Sequence, residues 1–164
     1  MPRPNSTRRL DAARIDYAVH EVDGAVRSGT AMAEALGVDP AGVLRTLVCE
    51  LELPARSGSG PTRRQRALVL VGSDASLDLA RLTQATGAVR SRLASQEEAE
   101  RWTGLVRGSI SALALPAGRF EVVIDERVAG RERVFVSAGA LGVELELAPA
   151  DLARVLAAPF AALV

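Results

Sequence analysis

The sequence predicts a single α/β domain of the α+β type, in which helices surround a mixed, mostly antiparallel sheet or a partly closed barrel. The chain has 164 residues, 48% of them hydrophobic, which is the length and apolar content of one compact core spanning residues 1–164. After a first helix, the predicted elements follow in the order β, α, β, β, α, α, β, β, β, α. No segment repeats at a period of about 20 to 50 residues, so a solenoid is excluded.

Three elements are predicted before the first long strand. They are a helix that Asn5, Ser6 or Thr7 can cap and that runs to residue 14, a strand over 17–22, and a helix over 31–36. The second helix begins at Ser28 or Thr30. It ends at Gly37, because glycine adopts the left-handed conformation that closes many helices.

Two long strands are predicted next, over 43–53 and 67–72, after a turn at Asp39-Pro40. The segment 54–65 between them is rich in Gly, Ser and Arg. This composition is typical of a flexible hairpin loop, and the segment is too short for a domain linker.

The second half begins with two helices and ends with three strands and a helix. One helix covers 78–86 and is closed by Gly87, and the other starts at the capping box Ser95–Glu98 and ends before Gly104. Segment 105–118 has the Gly, Ser and Pro content of a loop. The remaining predictions are strands over 121–124, 133–137 and 143–147 and a helix with Pro149 in its first turn.

Charge composition excludes several mechanisms. All 20 basic residues are arginine, so no reaction that requires a lysine amine is available. Twenty acidic residues balance them, so the protein is not a strongly basic one that holds long nucleic acid through many phosphates. Arginine suits local phosphate binding, although its exclusive use can equally reflect coding bias.

The single cysteine and the N-terminus indicate a reducing compartment. Cys49 has no intrachain partner and follows apolar residues, which favours a buried thiol over a nucleophile. No segment has the roughly 18 apolar residues that span a bilayer. The N-terminal segment 1–6 lacks the apolar run of a secretory signal, so a cytoplasmic protein is expected.

Motif searches exclude most cofactor chemistry. The sequence contains no Walker loop, dinucleotide fingerprint, CxxC pair or HExxH motif, and we expect neither a metal nor another cofactor. A serine triad would have to use the single histidine, His20, whose place in a predicted strand favours a structural role. Glu97, Glu98 and Glu100 are most simply a solvated helix face.

The remaining candidates are the loop Gly108-Ser109-Ile110-Ser111 and the strand segment Arg45-Thr46-Leu47. Small residues let a backbone approach a ligand closely, and successive N–H groups in such a turn can hold an oxyanion. From composition alone, an ordinary surface loop remains the alternative.

Several segments, taken together and in order, resemble the YbaK/ProX family over nearly the whole chain. The matching segments are 35–38, 43–47, 77–79, Thr103-Gly104 with the 108–111 loop, Ile124-Asp125-Glu126, 134–139, 142–147 and 149–152. Members of this family include deacylases for Cys-tRNA(Pro) and Ala-tRNA(Pro) and the insertion domain of some prolyl-tRNA synthetases.

The resemblance implies a trans-editing aminoacyl-tRNA deacylase whose partner is the tRNA acceptor end, alone or with an aminoacyl-tRNA synthetase. In the family, the residue equivalent to Arg45 is a lysine that engages the acceptor end, and the glycine-rich loop positions the aminoacyl ester. Here Ser109 and Ala112 replace a glycine and a proline of that loop. The resemblance also implies substrate-binding positions, namely Thr46, His20, Val22, Gly139 and Glu144, with Val22 replacing an aromatic residue and Glu144 an aspartate.

These observations give one leading hypothesis and two alternatives. In the first, Arg45 holds the terminal phosphate or ribose and the N–H groups of 108–111 face the ester carbonyl, with Thr46 and Ser111 in support. The first alternative is a non-catalytic module that binds tRNA or an aminoacyl nucleotide and has lost the family lysine. The second is a hydrolase of another small ester that uses Ser111 and His20.

Overall fold

The structure is a computed structural model that describes residues 4–164. Residues 1–3, which belong to the segment from which a secretory signal was excluded, lie outside the described residues. The described chain contains five α-helices of eight residues each. Within it, no helix is long and apolar enough to cross a membrane.

Helices and strands alternate along the chain, and their bounds are as follows. The helices are α1 (Asn5–Ala12), α2 (Gly29–Leu36), α3 (Leu79–Thr86), α4 (Gln96–Thr103) and α5 (Pro149–Leu156). The strands are β1 (Ala18–Glu21), β2 (Leu44–Leu53), β3 (Arg63–Gly72), β4 (Arg90–Leu93), β5 (Glu121–Asp125), β6 (Val134–Ser137), β7 (Val143–Leu147) and β8 (Phe160–Ala161). Short 3₁₀ turns occur at Pro40–Gly42 and Glu126–Val128.

The strands form two sheets that do not close into a barrel. One sheet has the order β1-β7-β6 and is antiparallel throughout. The other has the order β4-β2-β3-β5-β8, antiparallel from β4 to β3 and parallel from β3 to β8. An isolated bridge between Val43 and Phe135 joins the sheets. The predicted mixed, mostly antiparallel α+β fold is therefore confirmed.

The strand prediction was wrong at the start of β3 and missed two short strands. β3 begins at Arg63, not at residue 67, so the hairpin connection is 54–62 and not 54–65. The extra residues are polar, and they stay in the strand because Arg64 lies opposite Glu52 and Gln65 opposite Leu51. β4 was missed because three of its four residues are polar, and β8 because two residues are too few to show a pattern.

Helix ends follow the sequence signals with one exception. Gly37, Gly87 and Gly104 all adopt the left-handed conformation after their helices, and the Ser95–Glu98 capping box is present. The exception is α1, whose N-cap is Pro4 and has no side-chain cap. The buried Ser6, predicted as a possible cap, instead donates its hydroxyl hydrogen bond to the Ala138 carbonyl.

α2 lies over the junction of the two sheets. Met32 and Ala33 from this helix pack with Val43 and Phe135 in a small core separate from the two larger ones. Because Val43 and Phe135 form the bridge between the sheets, this packing places the first turn of α2 above the start of β2. A cleft lies beside that junction.

Candidate functional site

A cavity of about 290 Å³ lies between the start of α2, the start of β2 and the loop before β5. Side chains of the three-stranded sheet complete its wall. The lining residues are Arg27, Ser28, Gly29, Met32, Val43, Leu44, Arg45, Thr46, Leu47, Arg107, Gly108, Ile110, Ser137 and Glu144. The structure therefore brings Arg45, Thr46, Gly108, Ile110 and Glu144, five of the predicted site residues, to one cavity.

Arg45 is held at the cavity wall by two neighbours. Its Nη2 donates a short hydrogen bond to the carbonyl of Ala75, in the turn after β3. Its aliphatic stem packs under Gly29, where an added Cβ would lie 3.1 Å from Arg45 Cγ. Its Nε is buried, and no group in residues 4–164 accepts a hydrogen bond from it. The guanidinium is therefore partly satisfied by the protein and keeps a free donor.

The loop that contains Gly108 presents backbone donors. Gly108 has φ +91°, a conformation that glycine adopts without strain. Within the described chain, the N–H groups of Gly108, Ile110 and Ser111 have no hydrogen-bond acceptor. Gly108 and Ile110 line the cavity, so their two N–H groups can serve a ligand that enters it.

The two serines of the loop have structural contacts and do not line the cavity. The backbone N–H and the hydroxyl of Ser109 both donate to the carbonyl of Val106. The hydroxyl of Ser111 accepts from the N–H of Ala114. Both side chains are buried, so the structure does not present either hydroxyl to the cavity as a nucleophile.

Gly139 supports the loop from behind and lies outside the cavity lining. Its φ is +96°, and an added Cβ would lie 2.7 Å from the Cβ of Ala114. Its N–H donates to the hydroxyl of Ser137, which does line the cavity. A side chain at this position would push the loop away from the sheet.

Glu144 supplies a buried acid to the cavity. It lies on β7 between His20 of β1 and Ser137 of β6 in the strand register. Burial raises the pKa of its carboxyl to about 8. Its Oε2 is buried and has no hydrogen-bond partner in residues 4–164. At neutral pH this side chain is mainly a protonated acid, which can donate a hydrogen bond.

His20 and Val22 lie near the cavity but do not line it. His20 Nε2 is 2.7 Å from Glu146 Oε2, and its ring packs against Phe135 at 5.6 Å. Val22 donates its N–H to the Gly142 carbonyl and packs against the small core under α2.

Cys49 is fully buried in β2, and burial raises the pKa of its thiol to about 12. The expected buried thiol is what the structure contains, because so high a pKa leaves almost no thiolate at neutral pH.

Sequence reasoning missed Arg27 and Arg107, two exposed side chains that line the cavity. Neither belongs to a motif, and twenty arginines in the chain leave composition unable to single them out. Arg107 could have been predicted from its position, because it directly precedes Gly108 of the predicted loop.

The donor set of the cavity favours an anionic or carbonyl-bearing ligand. Three guanidinium groups, two free N–H groups and one neutral acid surround it, and Glu144 is the only acidic residue that lines it within the described chain. No group of three or more potential metal ligands occurs in residues 4–164.

The sequence is similar to known proteins. A sequence model of the family described as "Aminoacyl-tRNA editing domain" matches residues 23–155. A protein of Enterococcus faecalis (strain ATCC 700802 / V583), named "Putative Cys-tRNA(Pro)/Cys-tRNA(Cys) deacylase EbsC", is 25% identical over 149 residues. The alignment covers 90% of this chain and 84% of that protein.

Two crystal structures share the fold. The hypothetical protein APE2540 superposes with a TM-score of 0.82 at 22% identity, over 97% of this chain and 98% of that one. A protein described as "a putative trans-editing enzyme for prolyl tRNA synthetase" superposes with a TM-score of 0.73 at 22% identity, over 99% and 98% of the two chains.

Proposed function

The chain belongs to the aminoacyl-tRNA editing domain family, and from that premise we propose that it hydrolyses the ester bond of mischarged tRNA. Residues 1–164 act in this proposal as one trans-editing domain in the cytoplasm. The observation that carries it is the meeting of Arg45 and the free N–H groups of the Gly108 loop at one cavity.

The proposed reaction uses the backbone of the loop as an oxyanion hole. Water attacks the ester carbonyl, and the negative charge that develops on its oxygen accepts hydrogen bonds from the N–H groups of Gly108 and Ile110, which both line the cavity. The carbon–oxygen bond to the ribose then breaks, and the ribose oxygen leaves with a proton. An aminoacyl ester is already activated, so positioning and charge stabilisation supply most of what is needed.

Arg45 has the role of binding the phosphate or ribose of the terminal nucleotide. Its charge and its place in the cavity lining support this role, because a guanidinium binds phosphate through charge-assisted hydrogen bonds. Thr46, next to it on β2, lines the same cavity and can add a hydroxyl hydrogen bond.

Glu144 acts as a neutral hydrogen-bond donor at the inner wall. A protonated carboxyl can hold a substrate oxygen or deliver a proton to the leaving ribose oxygen, whereas a carboxylate could only accept. The raised pKa and the unpartnered Oε2 support this assignment.

The proposed substrate class is tRNA that carries a small amino acid, with Cys-tRNA(Pro) or Ala-tRNA(Pro) as the leading cases. The name of the Enterococcus faecalis relative supports the cysteine case. The absence of a protein base among the cavity residues also fits a reaction in which the substrate's own thiol or ribose hydroxyl assists. A prolyl-tRNA synthetase is the proposed partner, in line with the name of one structural neighbour.

A panel of mischarged tRNAs tests the proposal directly. Each tRNA, charged with cysteine, alanine, serine or proline, is incubated with the purified protein, and release of the amino acid is measured. The proposal expects release above background for at least one mischarged tRNA and little for correctly charged Pro-tRNA(Pro). Release from none of them would refute hydrolysis.

One observation favours a second candidate, a non-catalytic tRNA-binding module. The guanidinium of Arg45 already donates to the Ala75 carbonyl, so part of its hydrogen-bonding capacity is used within the protein. A module of this kind would bind the mischarged tRNAs of the same panel without releasing their amino acids.

A further inference from the structure

Two of the three arginines that line the cavity have no assigned role. Arg45 is half-buried and held by Ala75, but Arg27 and Arg107 are exposed. In residues 4–164, neither Arg27 nor Arg107 makes an ion pair, a hydrogen bond to a side chain or carbonyl, or a contact with an aromatic ring. Both guanidinium groups are therefore free to bind a ligand.

The fold brings these two arginines to the wall of one cavity. Arg27 packs on Gly108, where an added Cβ would lie 3.1 Å from Arg27 Cβ and 3.2 Å from Arg27 Cγ. Arg107 is the residue immediately before Gly108. Two positive charges that line one cavity attract an anionic ligand to it.

Nothing in the cavity neutralises this pair. Glu144 is the only acidic residue lining it within the described chain, and burial keeps its carboxyl mainly protonated at neutral pH. The start of α2 adds positive potential, since Ser28 and Gly29 line the same wall and the N-terminus of a helix favours negative charge. The exposed rim of the cavity is therefore electropositive.

We propose that Arg27 and Arg107 form a phosphate clamp at the mouth of the cavity that binds a backbone phosphodiester of the single-stranded 3′ end of tRNA. This inference rests on the proposed function, because it places the ester inside the cavity and the connected phosphates at its rim. Arginine is suited to this ligand, since its planar fork donates two parallel hydrogen bonds to phosphate oxygens. The clamp would supply binding energy away from the reacting carbonyl.

Binding of RNA that carries no amino acid tests the clamp independently of hydrolysis. The probe is an acceptor-stem minihelix with its single-stranded 3′ end, and Kd is measured over about 50 to 200 mM salt. Arg27→Ala and Arg107→Ala should each weaken binding about 3- to 10-fold and reduce the slope of log K against log salt by about 0.7 for each phosphate that is no longer bound. Arg27→Lys should retain most of the affinity because it keeps the charge.

Two controls separate the clamp from general charge effects. Arg101→Ala removes an exposed arginine on α4 that pairs with Glu97 and lies outside the cavity, and it should leave Kd and slope unchanged. A blunt minihelix without the 3′ single strand should bind the wild type and the clamp variants alike. If the variants weaken the blunt duplex as much as the overhanging one, the ligand is the duplex backbone and the proposal is wrong.

The outcomes also distinguish the clamp from the deacylase proposal. Unchanged Kd and slope in both alanine variants overturn the clamp, even if the protein hydrolyses mischarged tRNA. Weakened binding without any hydrolysis by the wild type keeps the clamp and refutes the deacylase. Where hydrolysis occurs, the clamp variants should raise KM with kcat nearly unchanged, because the clamp binds its phosphate equally in the ground state and in the transition state.

Discussion

The guanidinium of Arg45 donates a hydrogen bond to the backbone carbonyl of Ala75, in the turn that follows β3. The same turn is anchored from the other side, because Asp74 Oδ1 lies 3.5 Å from Arg127 Nη2 and Arg127 Nε lies 2.8 Å from the fully buried Asp125. Arg45 is thus held by a turn that is itself fixed to the core. This arrangement restricts where its charge can lie and makes its replacement informative.

Replacing Arg45 tests whether this side chain contributes to hydrolysis. Arg45→Ala should lower kcat/KM about 10- to 100-fold, the loss expected for one hydrogen bond to a charged group. Arg45→Lys keeps the charge, so its kcat/KM should lie between those of the wild type and Arg45→Ala. The measurement is amino acid release from the best mischarged tRNA. If the wild type is inactive and the lysine variant is active, the natural protein is a pseudo-enzyme.

Gly108→Ala tests the loop as an oxyanion hole. The substitution adds a Cβ 3.1 Å from Arg27 at a residue with φ +91°, so the loop must shift and its N–H groups lose their alignment. We expect kcat to fall at least about 10-fold. Gly118→Ala is the matched control, because Gly118 has φ +80° and open space around its Cα. The oxyanion assignment is wrong if both variants lose the same small fraction of activity.

Glu144→Gln tests the buried acid through stability. The carboxyl has a pKa of about 8 in the folded protein against 4.5 as its ordinary value. The folded state therefore holds more protons than the unfolded state between these pH values, and stability falls as pH rises from about 4.5 to about 8. Glutamine stays neutral at every pH, so the Glu144→Gln variant should not show this fall in stability.

The measurement is urea unfolding of both proteins at about pH 5 and about pH 9. At the higher pH, Glu144→Gln should exceed the wild type in free energy of unfolding by about 2 to 4 kcal/mol more than at the lower pH. Contributions from the other titratable groups cancel in this comparison because both proteins contain them. A difference that does not change with pH would show that Glu144 ionises normally.

His20→Ala tests the alternative hydrolase that pairs Ser111 with His20. His20 binds Glu146 and does not line the cavity, and Ser111 is buried against Ala114. We therefore expect deacylation within about twofold of the wild type, together with a modest loss of stability from the His20–Glu146 pair. A loss of activity of 100-fold or more would support the alternative mechanism that uses Ser111 and His20.

Cys49 should not react in the folded protein. Its side chain is fully buried and its thiol pKa of about 12 leaves little thiolate at neutral pH. A thiol-directed reagent should label it only when denaturant unfolds the chain, and the activity of the treated protein should be unchanged. Rapid labelling of the native protein would contradict the packing of β2.

The sequence predicted the elements whose signals are local. Gly87 and Gly104 closed their helices as expected, and the Ser95–Glu98 box started α4, because caps depend on a few adjacent residues. The start of β3 was not predicted, because Arg63 and Arg64 are typical loop residues in the sequence. In the structure they pair with Leu53 and Glu52 of β2. That pairing is a long-range fact that no local pattern contains.

The candidate site was predictable in part for the same reason. The motif residues Arg45 and Gly108 do line one cavity, but Ser109 and Ser111 turn their hydroxyls to backbone groups of their own loop. Arg27 lines the cavity because the helix that follows it, α2, packs over the junction of the sheets. Which side of a loop a side chain occupies depends on such packing.

A crystal structure with a non-hydrolysable aminoacyl-adenosine analogue would show whether the reacting ester lies at the Gly108 loop beside Arg45. The analogue carries an amide in place of the ester, so it reports where the reacting carbonyl lies. We predict the carbonyl oxygen within hydrogen-bond distance of the Gly108 and Ile110 N–H groups and the ribose beside Arg45. An analogue bound outside the cavity, or an empty cavity at saturating analogue, would show that the Gly108 loop and Arg45 do not form the active site.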